Sequence, residues 1–503
     1  MIQEKPTALF RVDAAPEIGG GHVVRCLSLA TILAEEGWRV AFASRPGTRE
    51  TVPALAASGF PILNLGGRTT GEADLMRDHF QETVDWLIVD HYGLDREFED
   101  ACKPWVKRVV AIDDLANRPH AADLLIDFTP FRDTVVYRDL APVEATFFLG
   151  PHYAILRDGF RKSRRAALCR RDAVPVNRML INMGTTDPTN ATGLVLKAVA
   201  ESGLPLDVDV ILGSAAPHLD SVERTATEMS QKVTVYRQVE DVAALMMSAD
   251  IAIGAPGMAT WERCCLGLPS FHIITASNQT SNATALEDMG AVRHLGMQSH
   301  LNPTEIASAL RELVEDTCAR QRMARISAAV CDGLGARRIV MGFSPEKSHE
   351  DHPIYLRPAT FDDADEILEW QCHPDTRKFA RNTNFPTPVE HERWMKEKLF
   401  DPTCLLNVIE YGKLPAGVLR LDEIAKAEVV SYEVSILVAP DKKGLGIAQG
   451  AIRLARRLVP EAQLFAFVFP ENTASLALFR KVGFEETASP NTFCAPPLLG
   501  KRT

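Results

Sequence analysis

The chain is long and ordinary in composition. Its 503 residues are more than three times the roughly 150 residues of a typical domain, so two or three packed units are expected. Hydrophobic residues make up 46% and charged residues 24%, which is typical of a globular enzyme and excludes a wholly disordered chain. The formal net charge of −11 argues against a nucleic-acid-binding protein, whose surface is normally basic, and leaves anionic metabolites as ligands.

Cysteines and apolar runs bear on the compartment. The ten cysteines are scattered, and no CxxC motif is followed by a second CxxC or a HxxxH at zinc-site spacing, so reduced thiols are predicted. The first residues lack the apolar core of a signal peptide, and no apolar run reaches the ~18 residues of a membrane span. The sequence therefore predicts a cytoplasmic protein without a membrane partner.

From residue 8 onward, short apolar runs alternate with amphipathic helical patterns. The runs ALFRVDA (8–14), WLIVD (86–90) and RVVAIDD (108–114) are typical of strands buried in a parallel sheet. The alternation starts again after the charged stretch 157–177, with RMLINMG and later runs. This predicts two Rossmann-like α/β domains, at 1–160 and 161–340, with a ligand cleft at the carboxyl ends of the strands.

The last third of the chain has a different pattern. Residues 341–353 are polar, contain two prolines and show no periodicity, so a linker is predicted there. Residues 354–503 begin with a strand and a helix capped near Thr360, and then mix strands with helices. This order predicts an α+β domain.

The first motif with a chemical implication is the turn Gly19-Gly20-Gly21-His22, between the first strand and a helix. Glycines let the backbone approach a ligand closely, and the amides of a helix N-terminus favour an anion. An imidazole kept neutral there can take a proton from water. From the residues alone, the turn is either a ligand site with His22 as general base or a tight turn with a packed histidine.

Four separated segments resemble the UDP-sugar hydrolase family of the pseudaminic acid pathway. They are RVDAAPEIGGGHVVRCLSLA (11–30), IVDHYGLD (88–95), AIDDLANRPHAADLLID (111–127) and GPHYAILRDGF (150–160). The resemblance implies a fold similar to GT-B glycosyltransferases. It also implies hydrolysis of UDP-2,4-diacetamido-2,4,6-trideoxy-β-L-altropyranose to the free sugar and UDP, with His22 at the position of the family's proposed general base.

Further site residues are expected at the same edge of the first sheet. Asp90, His91 and Tyr92 end the strand WLIV, so they should face the cleft that holds His22. Asp13, at the end of the first strand, is predicted to orient His22 or a sugar hydroxyl, and Tyr92 to contact substrate. For Asp13 and His91 a structural hydrogen bond is an equal alternative. Together the predicted catalytic residues are His22, Asp13 and Tyr92, and the predicted substrate-binding residues are Gly20, Gly21, Arg25, Asp90 and His91.

In the second domain, two glycine turns are predicted to bind the UDP moiety. NMGTTDPTNAT (182–192) and IAIGAPGMATWERCCLGLP (251–269) resemble GT-B turns, and the resemblance implies that Glu262 accepts hydrogen bonds from the ribose hydroxyls, which suits a carboxylate. Pro256 and the pair Met258-Ala259 occupy places more often filled by Gly and Ser/Thr in the family, which leaves the phosphate contacts open. The predicted substrate-binding residues of this domain are Gly184, Thr185, Gly257, Thr260, Glu262, Asn278 and Gln279, the last two from a loop that contacts the sugar in related proteins.

The chemistry expected of these residues needs no metal ion. A UDP-sugar has a good leaving group at its anomeric carbon, so the protein must position a water, remove its proton and stabilise the departing diphosphate. No DxD-type carboxylate pair of the kind that would hold Mg²⁺ on a diphosphate is evident, and metal independence is predicted. Cleavage at the sugar carbon and attack on phosphorus are both left open.

The third domain resembles GNAT N-acetyltransferases over about residues 354–503, through segments 430–458 and 467–486. The resemblance implies that acetyl-CoA is a cosubstrate whose pyrophosphate binds at a glycine turn. Asp441 replaces the usual Gln or Arg, and Phe479 replaces a tyrosine that often protonates the CoA thiolate. Glu433 is predicted to deprotonate the acceptor amine, with a structural strand carboxylate as the alternative. The predicted acetyl-CoA-binding residues are Leu437, Val438, Lys443, Gly444, Leu445, Gly446, Ile447, Ala448, Asn472 and Ser475.

The fusion itself predicts a bifunctional nucleotide-sugar enzyme. In the pathway of the resembling hydrolase, a GNAT enzyme acetylates a UDP-4-amino-sugar in the preceding step, so one chain would acetylate and then release UDP. Two alternatives are kept: a GT-B glycosyltransferase with a UDP-sugar donor, and a hydrolase with a catalytically silent acetyl-CoA-binding module. The exact sugar and the oligomeric state are not predicted.

Overall fold

The computed structural model describes residues 5–15, 19–67, 71–171, 175–237, 239–424 and 429–499. Residues 16–18 of the first resembling segment lie outside these ranges. The chain divides into two compact units between Ala336 and Arg337. None of the helices in these ranges combines the length and the apolar character that spanning a bilayer requires.

The first unit begins with a sheet of seven parallel strands, in the order β3-β2-β1-β4-β5-β6-β7. Its central strands are buried on both faces, as their continuous apolar runs predict, and Leu9, Leu87 and Val109 share one core cluster. The strands are β1 (Thr7–Val12), β2 (Arg39–Ser44), β3 (Ile62–Asn64), β4 (Val84–Asp90), β5 (Val106–Ile112), β6 (Leu124–Asp127) and β7 (Thr146–Leu149). The helices are α1 (Gly21–Glu35), α2 (Thr48–Thr51), α3 (Pro53–Ala57), α4 (Glu72–Phe80), α5 (Arg96–Cys102) and α6 (Asp158–Arg171).

A second parallel sheet follows in the same unit, in the order β10-β9-β8-β11-β12-β13. Asn190 caps the first helix after β8 by accepting a hydrogen bond from the Gly193 amide. The strands are β8 (Arg178–Asn182), β9 (Asp207–Ile211), β10 (Val233–Tyr236), β11 (Ile251–Gly254), β12 (Ser270–Ile274) and β13 (Arg293–Met297). The helices are α7 (Ala191–Ser202), α8 (Leu219–Glu228), α9 (Val242–Ser248), α10 (Ala259–Cys265), α11 (Thr280–Asp288), α12 (Pro303–Glu315) and α13 (Thr317–Val330). The next helix, α14 (Gly335–Phe343), spans the division between the two units.

Both parallel sheets reverse their strand order at the same place in their topology. The reversal lies between β1 and β4 in the first sheet and between β8 and β11 in the second. In open α/β sheets, ligands bind outside the carboxyl ends of the strands at such a switch point. The predicted α/β fold is confirmed, and the glycine turns after β1, β8 and β11 stand at these two points.

The second unit is built on a mixed sheet in the order β14-β15-β16-β17-β18-β19-β21-β20. Neighbours β18 and β19 run parallel, but their ladder extends only from Ser431 to Glu433 before the strands diverge, whereas β18 stays paired with β17 as far as Val438. The strands are β14 (Glu346–Lys347), β15 (Pro353–Pro358), β16 (Cys404–Tyr411), β17 (Leu414–Glu423), β18 (Ser431–Val438), β19 (Gln463–Phe467), β20 (Glu485–Glu486) and β21 (Thr492–Ala495). The helices are α15 (Ala364–Gln371), α16 (Pro374–Arg377), α17 (Pro388–Leu399), α18 (Ile447–Leu458) and α19 (Thr473–Lys481).

The segment 341–353 differs from the predicted linker. Helix α14 continues to Phe343, and Met341 and Phe343 are both buried. Strand β14 then pairs antiparallel with β15, Glu346 facing Ile354. The polar composition was misleading because a short edge strand needs only backbone hydrogen bonds on one side and tolerates charged side chains. The division of the chain accordingly lies a few residues earlier than predicted.

Candidate functional site

His22 stands in the first turn of α1 and is held by Asp90, the last residue of β4. The His22 Nδ1 atom lies 2.6 Å from Asp90 Oδ1. Arg25, one turn further along α1, binds the same carboxylate through Nε and Nη2, each at 2.6 Å. Asp90 and Arg25 are buried, and 11% of the His22 side chain remains exposed. The three side chains form one buried, charge-assisted network with the histidine at its open end.

This network fixes the protonation of Asp90. Burial disfavours the charged carboxylate, but the Arg25 guanidinium and the His22 ring outweigh it and hold the pKa of Asp90 well below its usual range. Because Asp90 accepts from Nδ1, the proton of neutral His22 lies on that nitrogen and Nε2 is left basic. A histidine in this arrangement can take a proton from a water molecule.

Tyr92 and Asp114 border the same histidine. The Tyr92 ring meets the His22 ring edge-on, with centroids 4.7 Å apart, and is 43% exposed. Its hydroxyl lies 3.4 Å from Asp114 Oδ2, which is also 3.3 Å from Arg25 Nη1. Burial, followed by the Asp114 charge, raises the pKa of Tyr92 above its usual range. Tyr92 is therefore a neutral phenol beside His22, in a position to contact a ligand.

Asp13 does not orient His22, contrary to one of the two roles predicted for it. It lies 2.8 Å from Arg11 Nη1 and 3.3 Å from His91 Nε2, and it accepts a hydrogen bond from the Arg45 amide at 2.7 Å. His91 in turn accepts on Nδ1 from the Gly93 amide at 3.0 Å. Asp13 and His91 thus contact one another and stabilise the loop after β4. Both residues make the structural hydrogen bonds that the sequence left as the alternative to a functional role.

The second sheet contributes Glu262, in the first turn of α10. Glu262 Oε1 lies 3.1 Å from Arg157 Nη2, and 16% of the glutamate side chain is exposed. Burial raises the pKa of Glu262, with the Arg157 charge opposing that shift. Arg157 lies in the loop before α6, so the carboxylate predicted to bind ribose is tied to the segment that joins the two sheets.

The other predicted substrate-binding residues of this half are placed less uniformly. Thr260 is 2% exposed, and its hydroxyl lies 3.1 Å from Arg263 Nη2, so the side chain faces the interior rather than a ligand. Gln279 accepts from the Thr275 amide and hydroxyl at 3.0 and 3.2 Å and so holds its own loop. The residues that remain exposed at the carboxyl ends of the strands are Gly184, Thr185, Gly257 and Asn278.

Contacts within the first unit bring the two sets of turns together. Arg25 Nη1 lies 3.9 Å from the Met258 sulfur, and a Cβ on Gly21 would stand 3.6 Å from Met258 Cγ. Phe128 and Trp261 meet edge-on with centroids 6.3 Å apart. The turn that carries His22 therefore faces the turn after β11 directly, and Gly21 lies where the two meet. Gly20 instead lies against Val52, whose Cγ2 would stand 2.7 Å from a Cβ there.

The second unit contains a cavity of about 900 Å³ where β18 and β19 diverge. Four residues predicted for acetyl transfer or acetyl-CoA binding line it, namely Glu433, Leu437, Asn472 and Ser475, and so does Phe479. Glu433 lies 2.6 Å from Arg381 Nη2, and that guanidinium lies 4.9 Å above the Phe467 ring. Asn472 caps α19 by accepting from the Ser475 amide at 3.1 Å.

A glycine turn lies between Val438, the last residue of β18, and the start of α18. Gly444 and Gly446 have φ values of 85° and 82°, a region that favours glycine, and Gly446 is the N-cap of α18. His349 Nδ1 lies 3.2 Å from the Gly444 carbonyl, and its ring covers Gly446. Of the other predicted residues, Lys443 pairs with Asp375 at 3.0 Å, Ile447 is buried, and Leu445 and Ala448 are half-buried in the turn.

Comparisons with known proteins agree with this architecture. Residues 184–337 match the glycosyltransferase family 28 C-terminal domain, and residues 354–485 match the acetyltransferase (GNAT) domain. The structure of MurG from Acinetobacter baumannii covers 67% of this chain and 99% of its own, with a TM-score of 0.52 and 16% identity. The chain joins a GT-B-like unit to a GNAT domain.

Two relatives cover different parts of this arrangement. A UDP-2,4-diacetamido-2,4,6-trideoxy-β-L-altropyranose hydrolase of Campylobacter jejuni is 25% identical over 283 residues, which are 56% of this chain and 96% of the relative. An uncharacterized protein of Methanocaldococcus jannaschii is 22% identical over 490 residues, 94% of this chain and 96% of its own. The predicted homology of the GT-B-like unit to the hydrolase and the predicted GNAT domain are confirmed, and the archaeal protein is similar across both.

Some residues around the two sites were not singled out from the sequence. Asp114 in the GT-B-like unit follows β5 in the string AIDD, and a second carboxylate after a buried strand is the signal that could have found it. Arg157 and Arg381 carry no such signal, because their loops are distant in sequence from Glu262 and Glu433. Within the described ranges, no group of three or more His, Cys, Asp or Glu side chains is placed to hold a metal ion. Metal independence stays a prediction.

Proposed function

We propose that the GT-B-like unit hydrolyses a UDP-sugar with His22 as general base. The observation that carries this proposal is the 2.6 Å contact of His22 Nδ1 with Asp90, whose carboxylate is locked by Arg25. The proposed substrate is UDP-2,4-diacetamido-2,4,6-trideoxy-β-L-altropyranose, the substrate in the name of the Campylobacter relative.

In the proposed reaction, water attacks the anomeric carbon and the bond to the diphosphate oxygen breaks. The water proton passes to His22 Nε2, and Asp90 stabilises the imidazolium that forms. The departing UDP takes the bonding electron pair. Glu262 accepts from the ribose hydroxyls, and the exposed backbone at Gly184 and Gly257 faces the diphosphate.

The GNAT domain is proposed to acetylate the 4-amino precursor of this substrate. The amine nitrogen attacks the thioester carbonyl of acetyl-CoA, an amide forms, and CoA leaves as the thiol. Glu433 takes the proton from the incoming ammonium once the acceptor displaces Arg381. The cavity between the diverging strands supports this assignment, because it joins Glu433 to the pantetheine side at Leu437.

UDP release in ¹⁸O-labelled water tests the hydrolase proposal. The wild-type chain is expected to release UDP with water as sole acceptor and to place the label on the sugar; label on UDP would instead mean attack on phosphorus. His22→Asn should lower the rate by about 100-fold or more, since a positioned base contributes ~10²–10⁴. His79→Asn, on the exposed end of α4, is the matched control. Wild-type turnover in His22→Asn would refute the assignment, and UDP release that requires a sugar acceptor would favour a glycosyltransferase.

Mass spectrometry with a UDP-4-amino-sugar tests the acetyltransferase proposal. Addition of acetyl-CoA is expected to increase the mass of the nucleotide sugar by one acetyl group. Binding of acetyl-CoA without any acetylated product would support the silent binding module instead.

A further inference from the structure

Arg263 is a buried guanidinium behind the glycine turn that follows β11. It is 1% exposed. Its Nη2 atom lies 3.1 Å from each of three acceptors, the Ala255 carbonyl, the Thr260 hydroxyl and His272 Nε2. Gly254 lies so close that a Cβ there would overlap Arg263 Nη1. The last residue of β11 must therefore be glycine for the guanidinium to occupy this position.

No carboxylate contacts the Arg263 guanidinium within the described part of the chain. All three acceptors are neutral, and Nε and Nη1 have no hydrogen-bond partner there. Burial, together with the Arg263 charge, lowers the pKa of His272 well below its usual value, so the imidazole is uncharged. The adjacent Glu262 pairs with Arg157, so its carboxylate acts on Arg263 only through its charge and not through a contact. Burial lowers the pKa of Arg263 itself to about 10, which leaves it protonated at neutral pH.

An unpaired buried charge is costly, because no solvent replaces its lost hydration. An opposite charge that binds nearby would offset this cost. The Ala255 carbonyl places the guanidinium directly under the turn 255–257, on the side of the first unit where the turn carrying His22 also lies.

We propose that Arg263 supplies a fixed positive charge for the diphosphate of a nucleotide bound on the turn 255–257. The inference rests on the proposed function, since it assumes a nucleoside diphosphate at this turn. Arg263 holds the turn through Ala255 and attracts the phosphates through the thin layer of backbone at Gly254 and Ala255. In a low-dielectric interior, such a charge acts at a distance without contact. It also favours the UDP leaving group, whose negative charge grows as the sugar bond breaks.

Calorimetric titration with UDP and with uridine tests this inference. Uridine has the base and ribose but no phosphate, so the ratio of the two affinities isolates the diphosphate. Arg263→Gln is expected to weaken UDP binding by at least about tenfold and uridine binding by less than about threefold, since the lost interaction is ionic. An equal loss for both ligands would mean a purely structural role and would overturn the inference, as would an unchanged UDP affinity.

Arg263→Lys keeps the charge and removes the planar fork. It is expected to keep the UDP-to-uridine ratio within about threefold of wild type, because a point charge suffices for attraction at a distance. A selective loss of UDP binding in Arg263→Lys would overturn the inference. This test still holds if the Arg263→Gln variant does not fold, as shown by the absence of a cooperative unfolding transition. Failure of the proposed function has a different signature: the wild-type chain would then show no preference for UDP over uridine and no UDP release.

Discussion

Asp90→Asn separates catalysis from stability at the centre of the candidate hydrolase site. The asparagine keeps the volume of the side chain but offers one acceptor oxygen and no charge. Arg25 donates to the carboxylate through two nitrogens at 2.6 Å, and His22 occupies the same group at 2.6 Å. The substitution therefore removes the counter-charge of a buried arginine and frees the histidine to adopt the other tautomer.

The structure sets the size of both effects. Removing one partner of a buried ion pair costs about 3–5 kcal/mol in the free energy of unfolding. We expect a value near the lower end, because Asp114 at 3.3 Å from Arg25 Nη1 still supplies negative charge. The rate of UDP release should fall by about 100-fold or more, since His22 no longer presents a fixed basic nitrogen.

The stability difference should also depend on pH. Arg25 and His22 hold the pKa of folded Asp90 below that of the unfolded chain. The carboxylate therefore stabilises the fold fully above the unfolded-state value of about 4, and this contribution is lost as the pH falls toward the lower folded-state pKa. The difference between wild type and Asp90→Asn should be largest near neutrality and narrow below about pH 4.

Urea unfolding followed by circular dichroism measures the stability, and UDP release per folded molecule measures the rate. Asp209→Asn is the matched control. Asp209 is as buried as Asp90 and binds Arg178 through both oxygens, at 2.6 and 3.1 Å. It lies on β9 of the second sheet. The Asp209→Asn variant should be less stable than wild type but should release UDP at a rate within about threefold of the wild-type rate. Wild-type turnover in Asp90→Asn, or an equal loss of turnover in Asp209→Asn, would refute the reasoning.

Four further substitutions address the proposed nucleotide and acetyl-CoA sites. Glu262→Gln should weaken the binding of UDP and of uridine by similar factors of about tenfold, because both ligands contain ribose and a charged hydrogen bond contributes ~1.5–3 kcal/mol. If calorimetry finds that only UDP binding is weakened, Glu262 does not contact the ribose. Glu433→Gln should slow acetyl transfer by about 100-fold and leave acetyl-CoA binding unchanged, while Arg381→Ala should retain acetyl transfer. A thiol-release assay measures the transfer rate. If Arg381→Ala were the slower of the two variants, Glu433 would be excluded as the base. Gly446→Ala should weaken acetyl-CoA binding several-fold, since the left-handed backbone costs ~1–2 kcal/mol and the new Cβ would stand 2.8 Å from the His349 ring. Unchanged affinity in a fluorescence titration would show that the turn does not hold CoA.

The architecture and the glycine turns that border both candidate sites could be predicted from the sequence. Continuous apolar runs alternating with amphipathic helices specify parallel sheets whatever the details of packing, and glycine turns at the carboxyl ends of strands mark where ligands bind. The glycine turn pointed to His22, with a packed histidine as the alternative, whereas Glu262 was predicted from the resemblance to GT-B turns. The structure places each in the first turn of a helix after such a strand. Local sequence suffices for these features because each depends on a strand, a turn and a helix that are adjacent in the chain.

Only the tertiary structure decided which charged groups meet. Asp13 and Asp90 both lie at the carboxyl ends of central strands, at one edge of the sheet. Helix α1 directs His22 toward Asp90, whereas Asp13 pairs with Arg11 and His91. In the second half of the same unit, the Thr260 hydroxyl turns inward to Arg263 rather than outward to a ligand. These pairings depend on helix orientation and on the competition of several cations for each carboxylate, neither of which a linear pattern records.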